Sequence, residues 1–236
     1  MYKIINFKTL PSTNQYLKEN HTSIEEYTVV VAEKQTMGRG RISRKWISTS
    51  DDLTFSILLK PQIETSKIPL ISLVIGASLC KVIHKYIKCD IKWPNDIIIN
   101  NKKVAGILVE GIVSNKIEAV VVGVGININS TSFPNDLIIK ATSLKNELGK
   151  DISKEEILNE ILSEFDSLYI DFLNGNNTFI NIIKNNNYLK NKEVYINNKK
   201  IKVLDINELG NLVILEDNIE KEIYYGEVTL TNIYNN

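Results

Sequence analysis

The sequence predicts an α+β fold in which helices pack on a mixed, mostly antiparallel sheet that is followed by a small β-barrel. Three successive apolar strands at 96–100, 104–113 and 117–126 indicate the sheet, because the Asn-Lys and Ser-Asn turns between them are typical of antiparallel hairpins. Apolar residues at helical spacing across 67–87 indicate the helical layer. The barrel is predicted from short strands at 193–196, 200–207, 212–216 and 221–229, with one turn at Asn197-Asn198.

Local signals predict the other N-terminal elements. Strands are predicted at 2–7, 28–33 and 53–59, and a short helix at 13–20 is capped by Ser12 or Thr13. Residues 35–52 are polar and contain glycine, so they form a long loop. Loops of this length inside a compact domain are usually functional.

The C-terminal half contains two predicted helices before the barrel. Residues 130–150 are predicted to be irregular. Ser153 and Glu156 have capping-box spacing, which predicts a helix that runs to about residue 173, and a second helix covers about 177–187. Because the pattern then changes to short strands, we predict a domain of residues 1–187 and a barrel domain of residues 188–236.

Composition limits the classes of function. The chain has 28 basic and 28 acidic residues, so no global field draws it to nucleic acid or to a membrane. No stretch approaches the roughly 18 apolar residues of a membrane helix, and we expect a cytoplasmic protein. The two cysteines, Cys80 and Cys89, are too few for a disulfide framework or a four-ligand zinc site, and such cysteines are usually small buried hydrophobes.

The strongest candidate site is the loop segment Gly38-Arg39-Gly40-Arg41-Ile42-Ser43-Arg44-Lys45-Trp46. Its two glycines let the backbone approach a ligand, and its four cationic side chains can neutralise phosphate. Composition alone leaves two alternatives open, a solvated basic loop and a nucleic-acid patch.

The second candidate is Lys92-Trp93-Pro94-Asn95-Asp96, in which Pro94 forbids a continuous helix and holds Lys92 at the end of a short strand. A lysine placed there suits a carboxylate or a phosphate. Composition alone favours an ordinary turn with an exposed lysine.

Three weaker signals remain. Gly106 lies inside a strand, where a glycine often marks a close approach. The segment Gly123-Val124-Gly125 has too few spaced glycines for a dinucleotide fingerprint, and no Walker A motif is found. Ser12-Thr13-Asn14 taken alone is best explained as a helix cap.

Together these segments resemble the biotin protein ligase family. The resemblance is close in order and spacing from residue 12 to about 129, and it continues more weakly through an SH3-like barrel. One departure is Ser43, where the family's loop usually carries a further glycine. The resemblance implies a biotin/lipoate ligase-like catalytic domain and two half-reactions. Biotin and Mg-ATP give biotinyl-5'-AMP and pyrophosphate, and a lysine of a carrier then takes the biotin.

The resemblance also implies roles for individual residues. The catalytic residues would be Lys92, Arg39 and Arg41. Biotin contacts are expected from Ser12, Thr13, Asn14, Gln35, Gly38, Arg39, Gly40, Arg41, Lys92 and Gly106. Nucleotide contacts are expected from Arg41, Arg44, Trp46 and Asn127. Mg²⁺ accompanies ATP, no protein ligand to a metal is assigned, and His21 and His84 are not expected to be catalytic.

Two alternatives stay open at this point. Lipoate ligases share the fold and the adenylate chemistry by resemblance, and a nucleic-acid-binding module would use the basic loop. The family pattern starts within about a dozen residues of Met1, so we expect a short form without an N-terminal DNA-binding domain and without specific DNA binding. The expected partner is a biotin carboxyl carrier protein domain of acetyl-CoA carboxylase or a related enzyme. Monomer and homodimer are both left open.

Overall fold

A computed structural model of the chain describes residues 2–42, 44–196, 199–224 and 229–230, and these form two sheets and five helices. In the large sheet the strand order is β1-β2-β3-β7-β6-β5-β4, with β1 and β2 parallel and every other neighbouring pair antiparallel. The strands are β1 (Lys3–Leu10), β2 (Thr28–Gln35), β3 (Leu53–Leu59), β4 (Asp90–Lys92), β5 (Asp96–Ile99), β6 (Lys102–Val113) and β7 (Ile117–Ile126). The helices are α1 (Thr13–Asn20), α2 (Ile68–His84), α3 (Leu144–Leu148), α4 (Lys154–Leu173) and α5 (Thr178–Asn185).

The second sheet is antiparallel and has the order β11-β10-β9-β8-β12. Its strands are β8 (Glu193–Ile196), β9 (Lys199–Ile206), β10 (Leu212–Glu216), β11 (Ile219–Ile223) and β12 (Thr229–Leu230). The α+β class and the small C-terminal β unit are therefore confirmed. The predicted turn at Asn197-Asn198 lies outside the described residues.

The predicted helix caps are present. The Ser12 hydroxyl accepts a hydrogen bond from the amide of Gln15 at 3.4 Å and begins α1. The Ser153 hydroxyl accepts from the amide of Glu156 at 3.2 Å and begins α4. Each cap satisfies one of the amides that the first helical turn leaves without a partner.

Helix α2 is the central helix of the core. It packs against α4 and α5 and also against β6 of the large sheet. Together with one preceding 3-10 turn (Thr65–Lys67), it is as long and apolar as a membrane span, which corrects our statement that no stretch approaches that length. Because 67% of its most apolar window is buried inside the fold, it has the character of a core helix.

Two larger differences from the predicted secondary structure are found near the middle and the end of the chain. Region 130–150 contains α3, whose N-cap is Ser143 and whose C-cap is Gly149 in a left-handed conformation. A helix of five residues is too short to show a helical period. The strand predicted at 221–229 is instead divided between β11 and β12. β11 begins earlier than predicted, at Ile219, because the left-handed residues Asp217 and Asn218 form the turn before it. Residues 225–228 lie outside the described residues.

The two sheets share one apolar core. Buried Val203, Ile206 and Leu212 of the second sheet belong to the same cluster as the α2 side chains. Gly210 packs against Leu73 of α2. The domain boundary at residue 188 stays a prediction, because continuous packing does not itself divide the chain.

Candidate active site

One cavity of about 410 Å³ collects the residues singled out from the sequence. It lies between the start of α1, the loop after β2, the turn between β4 and β5, and the glycines of β6 and β7. The predicted residues that line it are Ser12, Thr13, Asn14, Gln35, Arg39, Gly40, Arg41, Arg44, Trp46, Lys92, Gly106 and Asn127. Gly38 is not among the lining residues. It supports the wall, since a Cβ there would lie 2.4 Å from the Trp46 carbonyl oxygen.

The start of α1 forms a buried polar end of the cavity. The amide and the hydroxyl of Thr13 donate to Gln35 Oε1 at 2.8 and 3.1 Å. The Asn14 amide group donates to Glu110 Oε2 at 2.8 Å. The Ser56 hydroxyl lies 2.6 Å from both Thr13 Oγ1 and Asn14 Oδ1. These neutral groups are fixed by one another and by the Glu110 carboxylate, so Ser12-Thr13-Asn14 does more than cap a helix.

Two glycines of β7 make room for side chains of the site. A Cβ on Gly123 would lie 2.1 Å from Asn14 Oδ1, and a Cβ on Gly125 would lie 2.3 Å from the Trp46 ring. No real Cβ approaches other atoms this closely, so either substitution must displace its neighbour. The Gly-Val-Gly segment therefore seats Asn14 and Trp46.

The basic loop is a tight hairpin at the cavity mouth. Arg39 and Lys45 form an isolated antiparallel bridge, and the Gly40 amide donates to the Arg44 carbonyl at 2.8 Å. Arg41 Nη1 donates to Asn95 Oδ1 at 3.1 Å, which joins the loop to the turn after β4. The loop is therefore held by its own backbone and by that turn. Ser43, the departure from the family pattern, lies outside the described residues.

Lys92 is buried, with 8% of its surface exposed, so the interpretation as an exposed lysine of an ordinary turn is wrong. It is the last residue of β4, and the Trp93–Pro94 peptide that follows is cis. Asn95 fixes this turn on β6, because its side-chain amide donates to the Ile107 carbonyl at 3.1 Å and its own carbonyl accepts from the Ile107 amide at 2.9 Å. A cation is thus held in the cavity wall with little freedom to move.

Lys103 also lines the cavity, although no sequence pattern singled it out. Its ammonium group lies 2.6 Å from Asp96 Oδ1 and 5.6 Å from the centroid of the Trp46 ring. A Cβ on Gly106 would lie 2.8 Å from the same ammonium, so that glycine makes room for it. In a regular strand, residues 103 and 106 would lie on opposite faces. The alternation of side chains along a strand therefore does not predict that Gly106 makes room for Lys103.

A second missed group anchors the inner end of the loop. Asp52 is buried and accepts hydrogen bonds from the Ser130 hydroxyl at 2.8 Å, the Thr49 hydroxyl at 2.9 Å and the Ile128 amide at 3.2 Å. Near it, the Asn127 side chain donates to the Thr142 carbonyl at 2.9 Å. Segment 132–141, predicted only as irregular, supplies another wall of the cavity.

Comparison with known proteins identifies the family. Residues 6–127 match the sequence model described as the biotin/lipoate A/B protein ligase family, which is more than half of the chain. This chain belongs to the biotin/lipoate A/B protein ligase family. The matched residues include both ends of the cavity, from Ser12 to Asn127.

Curated relatives of this ligase-family chain are named as ligases, and some of them as biotin ligases. It is 36% identical over 187 residues to the bifunctional ligase/repressor BirA of Bacillus subtilis, an alignment that covers 76% of this chain and 58% of that protein. It is 31% identical to the biotin--[acetyl-CoA-carboxylase] ligase of Paracoccus denitrificans, over 58% of this chain and 60% of that protein. The chain thus spans about half to three-fifths of the length of the curated relatives it matches.

Solved structures confirm the fold of this family member over nearly its whole length. The biotin protein ligase of Aquifex aeolicus in complex with biotin and ATP superposes with a TM-score of 0.87 at 32% identity, covering 97% of this chain and 98% of that one. The apo structure of the same Aquifex protein gives a TM-score of 0.82. The resemblance inferred from the sequence is therefore confirmed at the level of family and fold.

Proposed function

We propose that this protein is an ATP-dependent biotin protein ligase. Biotin and ATP would react to give biotinyl-5'-AMP and pyrophosphate, and the biotinyl group would then pass to a lysine of a carrier protein. The observation that carries the proposal is the joint placement of buried Lys92 and the Arg39–Arg41 hairpin beside the neutral polar end of one cavity. The names of the relatives support the same activity.

The neutral end of the cavity suits the ureido ring of biotin. A cyclic urea offers two N–H donors and one carbonyl acceptor, and it needs hydroxyl and amide partners rather than charges. We assign this role to Ser12, Thr13, Asn14 and Gln35. Thr13 and Asn14 are already oriented by Gln35 and Ser56, so binding costs little rearrangement.

The cationic end suits the reacting carboxylate and phosphate. In the first half-reaction a carboxylate oxygen of biotin attacks the α-phosphorus of ATP, the bond to the β-phosphate breaks, and pyrophosphate leaves. Both reactants are anions, so fixed cations are needed to bring them together. We assign this role to Lys92, Arg39 and Arg41, and we add Lys103. Gly38 and Gly40 would let the loop backbone approach the ligand, and Gly106 makes room for the Lys103 side chain.

The nucleotide would lie on the side of the cavity that holds Trp46. The ring of Trp46 stacks on the glycine face of β7, and its indole N–H has no hydrogen-bond partner among the described residues. Arg41, Arg44 and Asn127 line the same side. We assign these four residues to the nucleotide.

Asp96 is paired with Lys103 and Asp52 is bonded by hydroxyls, so we assign Mg²⁺ to the phosphates of ATP rather than to a carboxylate of the protein.

The second half-reaction needs no nucleophile from the enzyme. The amine of the carrier lysine attacks the acyl carbon of the mixed anhydride, the C–O bond to AMP breaks, and the amine loses a proton. The name of the Paracoccus relative supports a biotin carboxyl carrier protein domain as the partner. We also propose a cytoplasmic location, where such carriers and ATP are found.

The direct test is incubation of the full chain with ATP, Mg²⁺ and biotin, followed by mass spectrometry for biotinyl-adenylate. We expect the adenylate to form without a carrier and to be consumed when an apo-carrier domain is added. Competition between biotin and lipoate separates the two branches of the family. Preferential formation of lipoyl-adenylate would show a lipoate ligase instead of a biotin ligase. The absence of any acyl-adenylate from folded protein would refute the proposal.

A further inference from the structure

A cluster of sulfur and nitrogen ligands lies outside the active-site cavity. Cys80 and His84 stand one turn apart near the end of α2, and Cys89 directly precedes β4. Cys80 Sγ lies 3.7 Å from Cys89 Sγ and 4.0 Å from His84 Nδ1, and one ligand atom from each of the three residues lies within 4.8 Å of the other two. These are both cysteines of the chain and one of its two histidines.

We propose that Cys80, His84 and Cys89 form a binding site for a thiophilic divalent cation, with Zn²⁺ as the preferred ion. Tetrahedral zinc with ordinary Zn–S and Zn–N bond lengths separates two sulfurs by about 3.8 Å and a sulfur from a nitrogen by about 3.6 Å. The observed sulfur separation already matches, and rotation of an exposed imidazole can bring the nitrogen closer.

Burial and charge fit the same ion. Both cysteines are buried, whereas His84 is exposed, so solvent reaches the cluster at the histidine and a water can supply the fourth ligand. Two thiolates neutralise a divalent cation, so the occupied site places no net charge in the core. Mg²⁺ prefers oxygen ligands, so the Mg²⁺ that accompanies ATP does not compete here.

The position gives the site a structural consequence. A metal bound to all three side chains would tie the last turn of α2 to the residue before β4, and Lys92 is the last residue of β4. The ion would stabilise the folded chain, because the cysteine and histidine ligands are not held together in the unfolded chain. This inference concerns binding and stability, so it stands or falls separately from the proposed ligase activity.

The test uses full-length protein without a histidine tag, reduced, stripped by a chelator and then titrated with Zn²⁺ against a chromophoric competitor. We expect one ion per chain and, with Co²⁺ as a substitute, a thiolate-to-metal charge-transfer band in the near ultraviolet. At a free zinc concentration of about 100 times Kd, the Tm should rise by about 5 °C or more.

Variants assign the ligands. Cys89→Ser and His84→Gln should each weaken zinc binding by more than about 100-fold. Even the loss of a group that only orients a metal ligand lowers metal affinity by about 10- to 100-fold. His21→Gln is the matched control, because His21 pairs with Glu118 away from the cluster and should leave zinc binding unchanged. If a buried cysteine variant does not fold, the exposed His84→Gln variant still tests whether the cluster binds zinc. A reduced wild-type chain that binds no zinc, or variants that bind it as tightly, would overturn the proposal.

Discussion

The indole N–H of Trp93 donates a 3.0 Å hydrogen bond to the backbone carbonyl of Gly210, which is 117 residues away in the chain. This bond connects the residue after Lys92 to the loop between β9 and β10. The active-site turn is therefore attached to the second sheet, and the C-terminal unit contributes to the position of a residue that we place in the catalytic machinery.

We predict that Trp93→Phe lowers the free energy of unfolding more than Trp46→Phe does. Both changes replace an indole by a smaller phenyl ring. Only the first leaves the buried Gly210 carbonyl without its donor, which costs about 1–3 kcal/mol. The indole N–H of Trp46 has no partner among the described residues, so Trp46→Phe is the matched control. Urea unfolding measures both, and equal losses would show that the bond to Gly210 contributes nothing.

We predict that Lys92→Met lowers the single-turnover rate of adenylate formation by on the order of 100-fold or more, because a preorganised charge at the reacting phosphate is lost. Methionine keeps the length of the side chain and suits a buried position, so the Tm should stay near that of the wild type. Lys116→Met, at an exposed turn residue, should change neither quantity. Near wild-type adenylation by the Lys92 variant would remove its catalytic role.

We predict that two glycine substitutions separate the two ends of the cavity. Gly123→Ala displaces Asn14 and should raise the KM for biotin by about tenfold, whereas Gly125→Ala displaces Trp46 and should raise the KM for ATP by a similar factor. Gly76→Ala is the control, because its Cβ would make only an ordinary 3.5 Å contact with Ile107 of β6 and alanine favours the helix. A change in the same KM for both strand variants would contradict the assignment of the two ends.

We predict that the hairpin from about residue 36 to 45 acts as a lid. Its arginines repel one another without an anion, and Ile42 is 66% exposed with a left-handed φ of 51°, which is strained for a β-branched residue. The backbone hydrogen bonds of the hairpin and its bond to Asn95 give only local protection, so hydrogen exchange of this segment should be faster in the free protein than that of the flanking strands. It should slow markedly with biotin and a non-hydrolysable ATP analogue, because closure also keeps water from the anhydride. Strong protection that does not change with ligand would show a fixed loop.

Patterns of neighbouring residues predicted those helices and strands well whose ends depend on only a few side chains. The seven-residue strand β3 and the helix α1 were predicted with the bounds that the structure has, and Ser12 and Ser153 cap their helices as expected. These features depend on side chains within three or four positions of one another. The helix α3 was missed, since five residues are too few for a period to emerge.

The active-site residues could be chosen from the sequence only because their segments resemble a family. Their spacing alone left a solvated basic loop and an exposed lysine as good alternatives. Asp52 and Ser56 were missed because each acts through a partner that is distant in sequence, Ser130 after β7 and Asn14 on α1. Lys103 was missed because its contact with Asp96 depends on how β5 pairs with β6.

The sequence by itself determined the type and approximate position of most helices and strands and the family, because capping, periodicity and motif order are properties of neighbouring residues. Only the tertiary structure decided that Lys92 is buried, that Trp93 reaches Gly210, and that His84 meets Cys80 and Cys89. Those facts depend on how α2, β4 and the second sheet pack together. Packing is set by the apolar surface that the whole chain buries, and no short segment encodes it.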